Sequence, residues 1–564
     1  MSNTRAHSVV SHLLIFTGLL LLVLSFGYTE MASGDLWWQI AAGRELIQTQ
    51  TLRLVDDWSF TAMGNDWLNH EWLAGLTYYG WTTLWGLEAL VYWKWLVLLV
   101  TFGALHIALT RHSQSAIAAL ITTVIAIATA APFLDIRPHL YSLLGYTLLL
   151  LMALGRRPNI ALLILLFVVW VNLHSGVLFG LMVLAVLLCP WREPSMATFR
   201  FAATVVLLCI LASLINPYGY DVFLYPLGYA LEASSPFRTI AEWASPFEPG
   251  GIRSPLYFYL IWLPILALLY AFRKIRSETG IPWEGVALTA LTLAMSLTSR
   301  RFIPLYAISL AVLFAPLLAL GLRRLRIEKY GWGFGLLAIF LGLYRLQPYP
   351  LHPGPAFHYM TAHYIYPVEL VNFVEANNIS GNVYGAWRWG GYLHYRTDGA
   401  LRVFVDGRAD TVFDDETYLH YADVQGSQPG WLKMIEETGA DYVLWSFARG
   451  EGVEKLQALV KTGRWQLIYV DAVGWLVARK GLLDGQRFRP SQAGPWREAS
   501  RARNALRARK YEDAIRYAQI TRETMPWHKE ACSVLISSFE ATNRPQKAEE
   551  VLQDCLRYFP TKYL

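Results

Sequence analysis

The sequence predicts a polytopic α-helical membrane protein that carries a small α/β domain and then a helical tail. Three observations predict it. Apolar runs of near-bilayer length recur through the first 345 residues; strands alternate with amphipathic helices from Pro367; and beyond about residue 495 the pattern is purely helical. Composition agrees: 55% of residues are hydrophobic, 16% are charged and mean hydropathy is +0.32, so lipid is part of this chain's solvent.

The apolar runs lie at about residues 12–28, 84–109, 115–133, 139–154, 159–172, 176–190, 200–215, 255–271, 282–298, 303–320 and 332–345, or roughly eleven crossings. The first follows a basic start, as in a secretory signal, but no clean small-residue cleavage site follows, so it reads as a retained span. The pair flanking Asn172 to Gly176 is short enough to form a re-entrant hairpin instead.

Basic residues set the expected orientation. Arg5, Arg111, Arg156, Arg157, Arg192, Arg273, Lys274, Arg276, Arg323, Arg324, Arg326 and Lys329 fall in alternate loops, which places those loops and the N-terminus in the cytoplasm. The large loops 30–83 and 216–254, rich in Trp, Tyr, Pro and acids, then lie outside, as does everything after Tyr344. The domains are therefore 1–345 in the membrane, 346–494 as an extracytoplasmic α/β domain, and 495–564 as a tail. The net charge of +6 follows this alternation and forms no single tract, which argues against nucleic acid as a partner.

In the second domain VELVNFVEANNIS reads as an amphipathic helix, GNVYGAW, LRVFVDGRAD and DYVLW as strands, and WLKMIEETG as a helix. In the tail a 34-residue offset relates Ala514 to Ala548, Ala518 to Leu552 and Pro526 to Pro560, the tetratricopeptide period. Such helices would recruit an acceptor protein or a partner subunit. Cys189 and Cys209 lie in apolar runs, and Cys532 and Cys555 in the tail. No pair has metal-ligand spacing, and no disulfide framework is indicated.

The first large loop, SGDLWWQIAAGREL then VDDWSFTAMGNDWLNHEWLAG, offers Asp35, Asp56, Asp57, His70 and Glu71. A carboxylate at the membrane surface could take the proton of an acceptor hydroxyl; a second acid or a His could orient it, assist as base, or hold a divalent cation. Asp35, Asp57, His70 and Glu71 are the catalytic candidates. Asp35 could equally cap the helix it opens, Asp57 could begin a turn, and His70 with Glu71 could support the loop.

Arg137, Arg300 and Arg301 stand at outer span ends, against the positive-inside bias, and call for an anionic partner such as a lipid-linked phosphate. Pairing with Asp135 or another acid, or snorkelling to headgroups, would also account for them. His174 in WVNLHSG is a further phosphate-binding candidate, or a helix-packing polar group, and Asn216 in INPYGYD suits a helix end. His139 and Glu242 are candidates for lining the same cavity or meeting the acceptor. Asp406 and Asp410 read as strand-ending acids.

The DLWW, HEWL, RPHL, NLHSG and NPYG segments, with many spans and a soluble C-terminal domain, resemble the GT-C superfamily of bacterial membrane glycosyltransferases. The resemblance implies a polyprenyl-linked sugar donor, membrane lipid as a partner, and a carboxylate in the first outer loop, matched here by Asp35. It implies residence in the bacterial cytoplasmic, or inner, membrane. The competing expectation is a non-catalytic scaffold that recruits partners through its outer domains. A transporter ranks third, because no intramembrane charge pathway is evident.

Overall fold

A computed structural model of the chain describes residues 2–29, 34–192, 194–231, 235–240, 242–264, 282–361, 366–447, 451–489 and 495–558. It divides into two compact units: Met1–Met31, His70–Ala74 and Ala89–Gln347 form one, and Ala32–Asn69, Gly75–Glu88 and Pro348–Leu564 the other. The first large loop is thus shared between the two.

The first unit is helical. Its main elements are α1 (Ser2–Gly27), α2 (Leu90–Ser113), α3 (Ala116–Ala130), α4 (His139–Ala153), α5 (Ile160–Leu173), α6 (Val177–Leu188), α7 (Met196–Ala212), α8 (Trp283–Thr298), α9 (Ile303–Arg324) and α10 (Gly331–Leu346). Among the described residues four helices, Val9–Gly27, Leu87–Ser113, Ala116–Phe133 and Arg300–Arg324, are long and apolar enough to cross a membrane; α4 to α7 are apolar but shorter. The chain is multi-pass. Side chains start three of these helices: Ser115 accepts from Ala118 N, Asn159 from Leu162 N, and Ser195 forms a capping box with Thr198.

The apolar run at 84–109 begins later as a span than its hydropathy suggests, because Gly86 at φ 89° ends the helix Trp72–Trp85 and a 3-10 turn precedes α2. The run at 255–271 opens as the helix Pro255–Leu260, while residues 265–281, with Arg273, Lys274 and Arg276, lie outside the described residues.

Two pairings orient the bundle. A Cβ added at Gly335 would stand 2.6 Å from Leu14 Cβ, one at Gly342 2.6 Å from Leu21 Cβ, and one at Gly18 2.6 Å from Ala338 Cβ. Residue numbers rise together along this contact, so α1 and α10 run parallel, backbone against backbone, through small residues. At the end where α2 and α9 finish, Arg323 donates to Ser113 O at 2.9 Å. Arg111, Arg156, Arg157, Arg192, Arg323 and Arg324 follow or close helices that end there, and Arg137, His174, Arg300 and Arg301 occupy the helix junctions of the opposite end.

The second unit is built on a five-stranded mixed sheet. β3 (Gly381–Gly385), β4 (Leu401–Val403), β5 (Tyr442–Ser446), β6 (Trp465–Val470) and β7 (Gly474–Arg479) lie in the order β4-β3-β5-β7-β6, with β4, β3 and β5 parallel and the β6–β7 hairpin antiparallel. The helices Val368–Ala376, Gly390–Thr397, Asp415–Gln425 and Trp431–Glu437 alternate with the strands. The β4 edge is covered by the early loop, whose own hairpin is β1 (Leu54–Val55) and β2 (Asp66–Trp67). Phe60 N donates to Val403 O at 3.1 Å, and Val403 N to Trp58 O at 3.0 Å.

The tail comprises helices Pro495–Arg507, Tyr511–Thr524, Lys529–Ala541 and Pro545–Leu556 around Ala502, Ala514, Ala518, Ala531, Leu535, Phe539 and Ala548. Of the three pairs related by the repeat spacing, Ala514 and Ala548 are both buried, Ala518 is buried and Leu552 half-buried, and Pro560 lies outside the described residues. The cysteine expectation is corrected here. Cys532 and Cys555 form a disulfide, because the last two helices pack against each other and bring their Cα atoms to 6.3 Å despite 23 residues of separation.

Candidate functional site

One polar constellation stands out at the helix junctions of the first unit. The segment after Asn69 is anchored by Trp72, whose Nε1 donates to Asn172 Oδ1 at 2.8 Å; Asn172 in turn donates to Val168 O and Ile215 O. This anchor sets Glu71 against the α5–α6 junction. Glu71 Oε1 is 3.5 Å from His174 Nε2 and 3.8 Å from His70 Nε2, and the His70 ring packs on Tyr225 with centroids 4.9 Å apart.

His174 is held from behind. Its Nδ1 meets Ser142 Oγ at 2.8 Å and the Gly176 backbone N–H at 2.9 Å, while Trp170 Nε1 donates to the same Ser142 Oγ at 2.8 Å. A Cβ at Gly176 would fall 2.2 Å from Ser142 Oγ, so only glycine lets this turn close. Burial pushes the His174 pKa well below the ordinary imidazole value, and Arg301, His139, His70 and Arg137 add to the shift, so the ring is neutral.

Arg137 donates through both Nη atoms to Glu242, at 2.9 and 3.0 Å, and its Nε is 3.9 Å from Asp135. Burial alone would raise the Glu242 carboxyl; Arg137 and then Arg301 overcome it and hold the group well below the usual carboxylate range. Asp135 goes the other way: burial lifts it, and Arg137 offsets only part of that. His139 Nε2 donates to Phe133 O at 2.7 Å and lies 3.8 Å from Asp135. The buried Lys94 donates to Thr29 Oγ1 at 2.9 Å.

The two adjacent arginines have different surroundings. Arg300 is buried and directs four of its five N–H donors to the carbonyls of Ala244, Ser245, Glu248 and Gly250, so it anchors the 244–250 loop. Arg301 lies over the Trp243 ring at 4.1 Å and, among the described residues, has no hydrogen-bond or ion-pair partner. Asn216 donates to Ser213 O and Gly219 O and accepts from Tyr218 N, closing a helix end.

Asp35 and Asp57 belong to the second unit. Asp35 opens the helix Asp35–Thr49, and a Cβ at Gly407 would stand 3.2 Å from its Oδ1. Asp57 is raised by burial and by its neighbour Asp56. Asp56 is structural: it accepts from Trp58 N, Ser59 N and Ser59 Oγ and pairs with the buried Arg408 at 2.6 Å. Asp406, read as a strand-ending acid, also faces Arg408, at 2.9 Å.

Sequence reasoning named Glu71, Asp135, Glu242 and the arginines of the first unit but missed Trp243 under Arg301, Ser142 behind His174, and Lys94. Lys94 alone left a signal, as a cation inside the apolar VYWKWLVLLV. Among the described residues, no three His, Cys, Asp or Glu side chains are grouped so as to hold a metal ion.

No protein-family model matches the chain, and no curated protein does. Among solved structures it is similar to the crystal structure of ArnT from Cupriavidus metallidurans in the apo state. The TM-score is 0.48 and the identity 14%, covering 84% of this chain and 99% of that one.

Proposed function

We propose that this chain is a GT-C-like glycosyltransferase of the bacterial cytoplasmic membrane, moving a sugar from a polyprenyl-phosphate-linked donor to an extracytoplasmic acceptor. The observation that carries the reading is Arg301, a guanidinium stacked on Trp243 that makes no salt bridge or hydrogen bond among the described residues, beside the paired Arg137 and the His174–Glu71 couple. A phosphate supplies the acceptor oxygens that this guanidinium does not otherwise bond.

In the reaction the acceptor oxygen loses its proton to a carboxylate and bonds to the sugar's anomeric carbon. The bond from that carbon to the phosphate oxygen breaks, and its electron pair leaves with the prenyl phosphate, where Arg301 and Arg137 meet the added negative charge. Glu71 of the first unit and Asp35 of the second are the two candidate proton acceptors.

The topology belongs to the same proposal. Residues 1–345 span the membrane with the N-terminus in the cytoplasm, and 346–494 with 495–564 lie outside. The Cys532–Cys555 disulfide supports this, since such bonds persist in oxidising compartments. The tail would bring the acceptor protein or a partner subunit to the enzyme.

The test uses undecaprenyl phosphate as the probe, with the full chain in nanodiscs. Arg301→Ala should weaken binding about tenfold or more, the loss of one or two charge-assisted hydrogen bonds. Arg324→Ala, at the opposite end of α9, should leave it unchanged; equal binding by both variants would remove the clamp. Asp35→Asn and Glu71→Gln then decide the base, the one that abolishes transfer in a folded protein being the acceptor of the proton. No turnover with any lipid-linked sugar, together with capture of a partner by the tail, would favour the scaffold reading.

A further inference from the structure

We infer that His174 does not bind the donor phosphate but is a positioning residue for Glu71, which it holds as the proton acceptor of the site through the chain Trp170–Ser142–His174.

The argument is one of hydrogen direction. A backbone N–H can only donate, so Gly176 N at 2.9 Å from His174 Nδ1 requires that nitrogen to be the acceptor. Trp170 Nε1 also can only donate, and its 2.8 Å bond to Ser142 Oγ uses an oxygen lone pair. Ser142 keeps its own hydrogen for the remaining contact, 2.8 Å to the same Nδ1. With Nδ1 doubly approached by donors and the ring neutral, the only imidazole hydrogen is on Nε2, which faces Glu71 Oε1 at 3.5 Å.

That polarity decides what His174 does. An imidazole that presents N–H to a carboxylate orients it, in the manner of a base held by a third group. His174 could serve a phosphate only by turning Nε2 away from Glu71, and the Gly176 and Ser142 bonds at the opposite nitrogen oppose that rotation. The other charged or titratable groups around the couple are His70 beside Glu71, and Arg301, Arg137 and His139, each of which acts on His174, with Glu242 bound to Arg137. Burial first, and then these cations, favour a neutral His174.

The step itself rests on the transferase reading; the positioning does not. The full chain, with 15N in its histidine rings, is reconstituted in nanodiscs and recorded at pH 7, and the His174 signals are assigned by their loss in His174→Gln. We expect a neutral ring with hydrogen on Nε2, and an Nε2 resonance that moves in Glu71→Gln while Nδ1 stays. Hydrogen on Nδ1, a doubly protonated ring, or an Nε2 signal indifferent to Glu71→Gln would overturn the proposal. In the turnover assay, His174→Leu should move the acid limb of the pH profile up by about one unit. His174→Gln, whose amide can still donate, should restore it. An unmoved limb in His174→Leu would overturn the role in proton transfer, whereas absent turnover in the wild type with the expected ring signals would sink the transferase reading and leave the positioning intact.

Discussion

Two of the arginine–carboxylate pairs in this molecule, Arg408 with Asp56 and Arg137 with Glu242, differ in what surrounds them. In the second unit the side chains of Arg408 and Asp56 are 0% exposed. Arg408 also pairs with Asp406 and lies over Trp58 and Trp67 at 4.3 and 5.0 Å. In the first unit Arg137 and Glu242 keep 23% and 29% of their side-chain surface, and the neighbouring Arg301 has a ring beneath it and no acid against it. A guanidinium enclosed by two carboxylates and two indoles ties the early loop to the sheet edge. One that is partly exposed and salt-bridged to no carboxylate is equipped to receive a ligand.

The largest effect should come from breaking the enclosed cluster. Arg408→Met leaves two carboxylates buried without their cation and should cost about 3–5 kcal/mol, read as a fall in the unfolding midpoint of the purified protein. Asp56→Asn combined with it should recover part of the loss. An Arg408→Met protein as stable as the wild type would erase the distinction between the two sites. Arg137→Gln, in the more exposed pair, should cost only about 1 kcal/mol by the same measurement.

A pH experiment sharpens the contrast further. Glu45 accepts from Trp58 Nε1 at 2.8 Å, and burial, then Asp57, raises its pKa from 4.5 to about 7. Because the folded state favours the protonated form, the stabilisation is complete below about pH 4.5 and is lost as pH rises through about 7. Glu45→Gln should flatten that decline and, allowing for partial exposure, gain about 1 kcal/mol at pH 8. Unchanged pH dependence of the melting temperature would reject the assignment. The smallest effect on stability is expected at Arg301→Ala, below about 0.5 kcal/mol, while prenyl phosphate binding falls. A large loss of stability there would make Arg301 a structural residue like Arg408.

How much of this could be read beforehand depended on the range of the interaction. The strands VYG, LRV and DYVLW and the amphipathic VELVNFVEA declare themselves through local pattern, and β3, β4, β5 and the helix Val368–Ala376 follow. The unlike fates of Arg300 and Arg301 do not. They are adjacent in TSRRFIPLY, and only the return of the 244–250 loop, some fifty residues away, separates an anchor from an open cation. The placement of residues 32–69 with the C-terminal body was hidden for the same reason: Phe60 pairs with Val403 across more than three hundred residues, which no window of hydropathy spans. The disulfide escaped because cysteine spacing carries no information on how helices fold back.

The parallel contact between α1 and α10 sets a clock on biogenesis. α1 leaves the ribosome well before the glycine face it packs against, which is encoded roughly 300 residues later, and at about 5–20 residues per second that is a wait of about 15 s to a minute. During that interval the Leu14–Gly18–Leu21 stripe of α1 has only lipid, a chaperone or the translocation machinery for company. The bundle cannot close in chain order; its first helix is locked by its last.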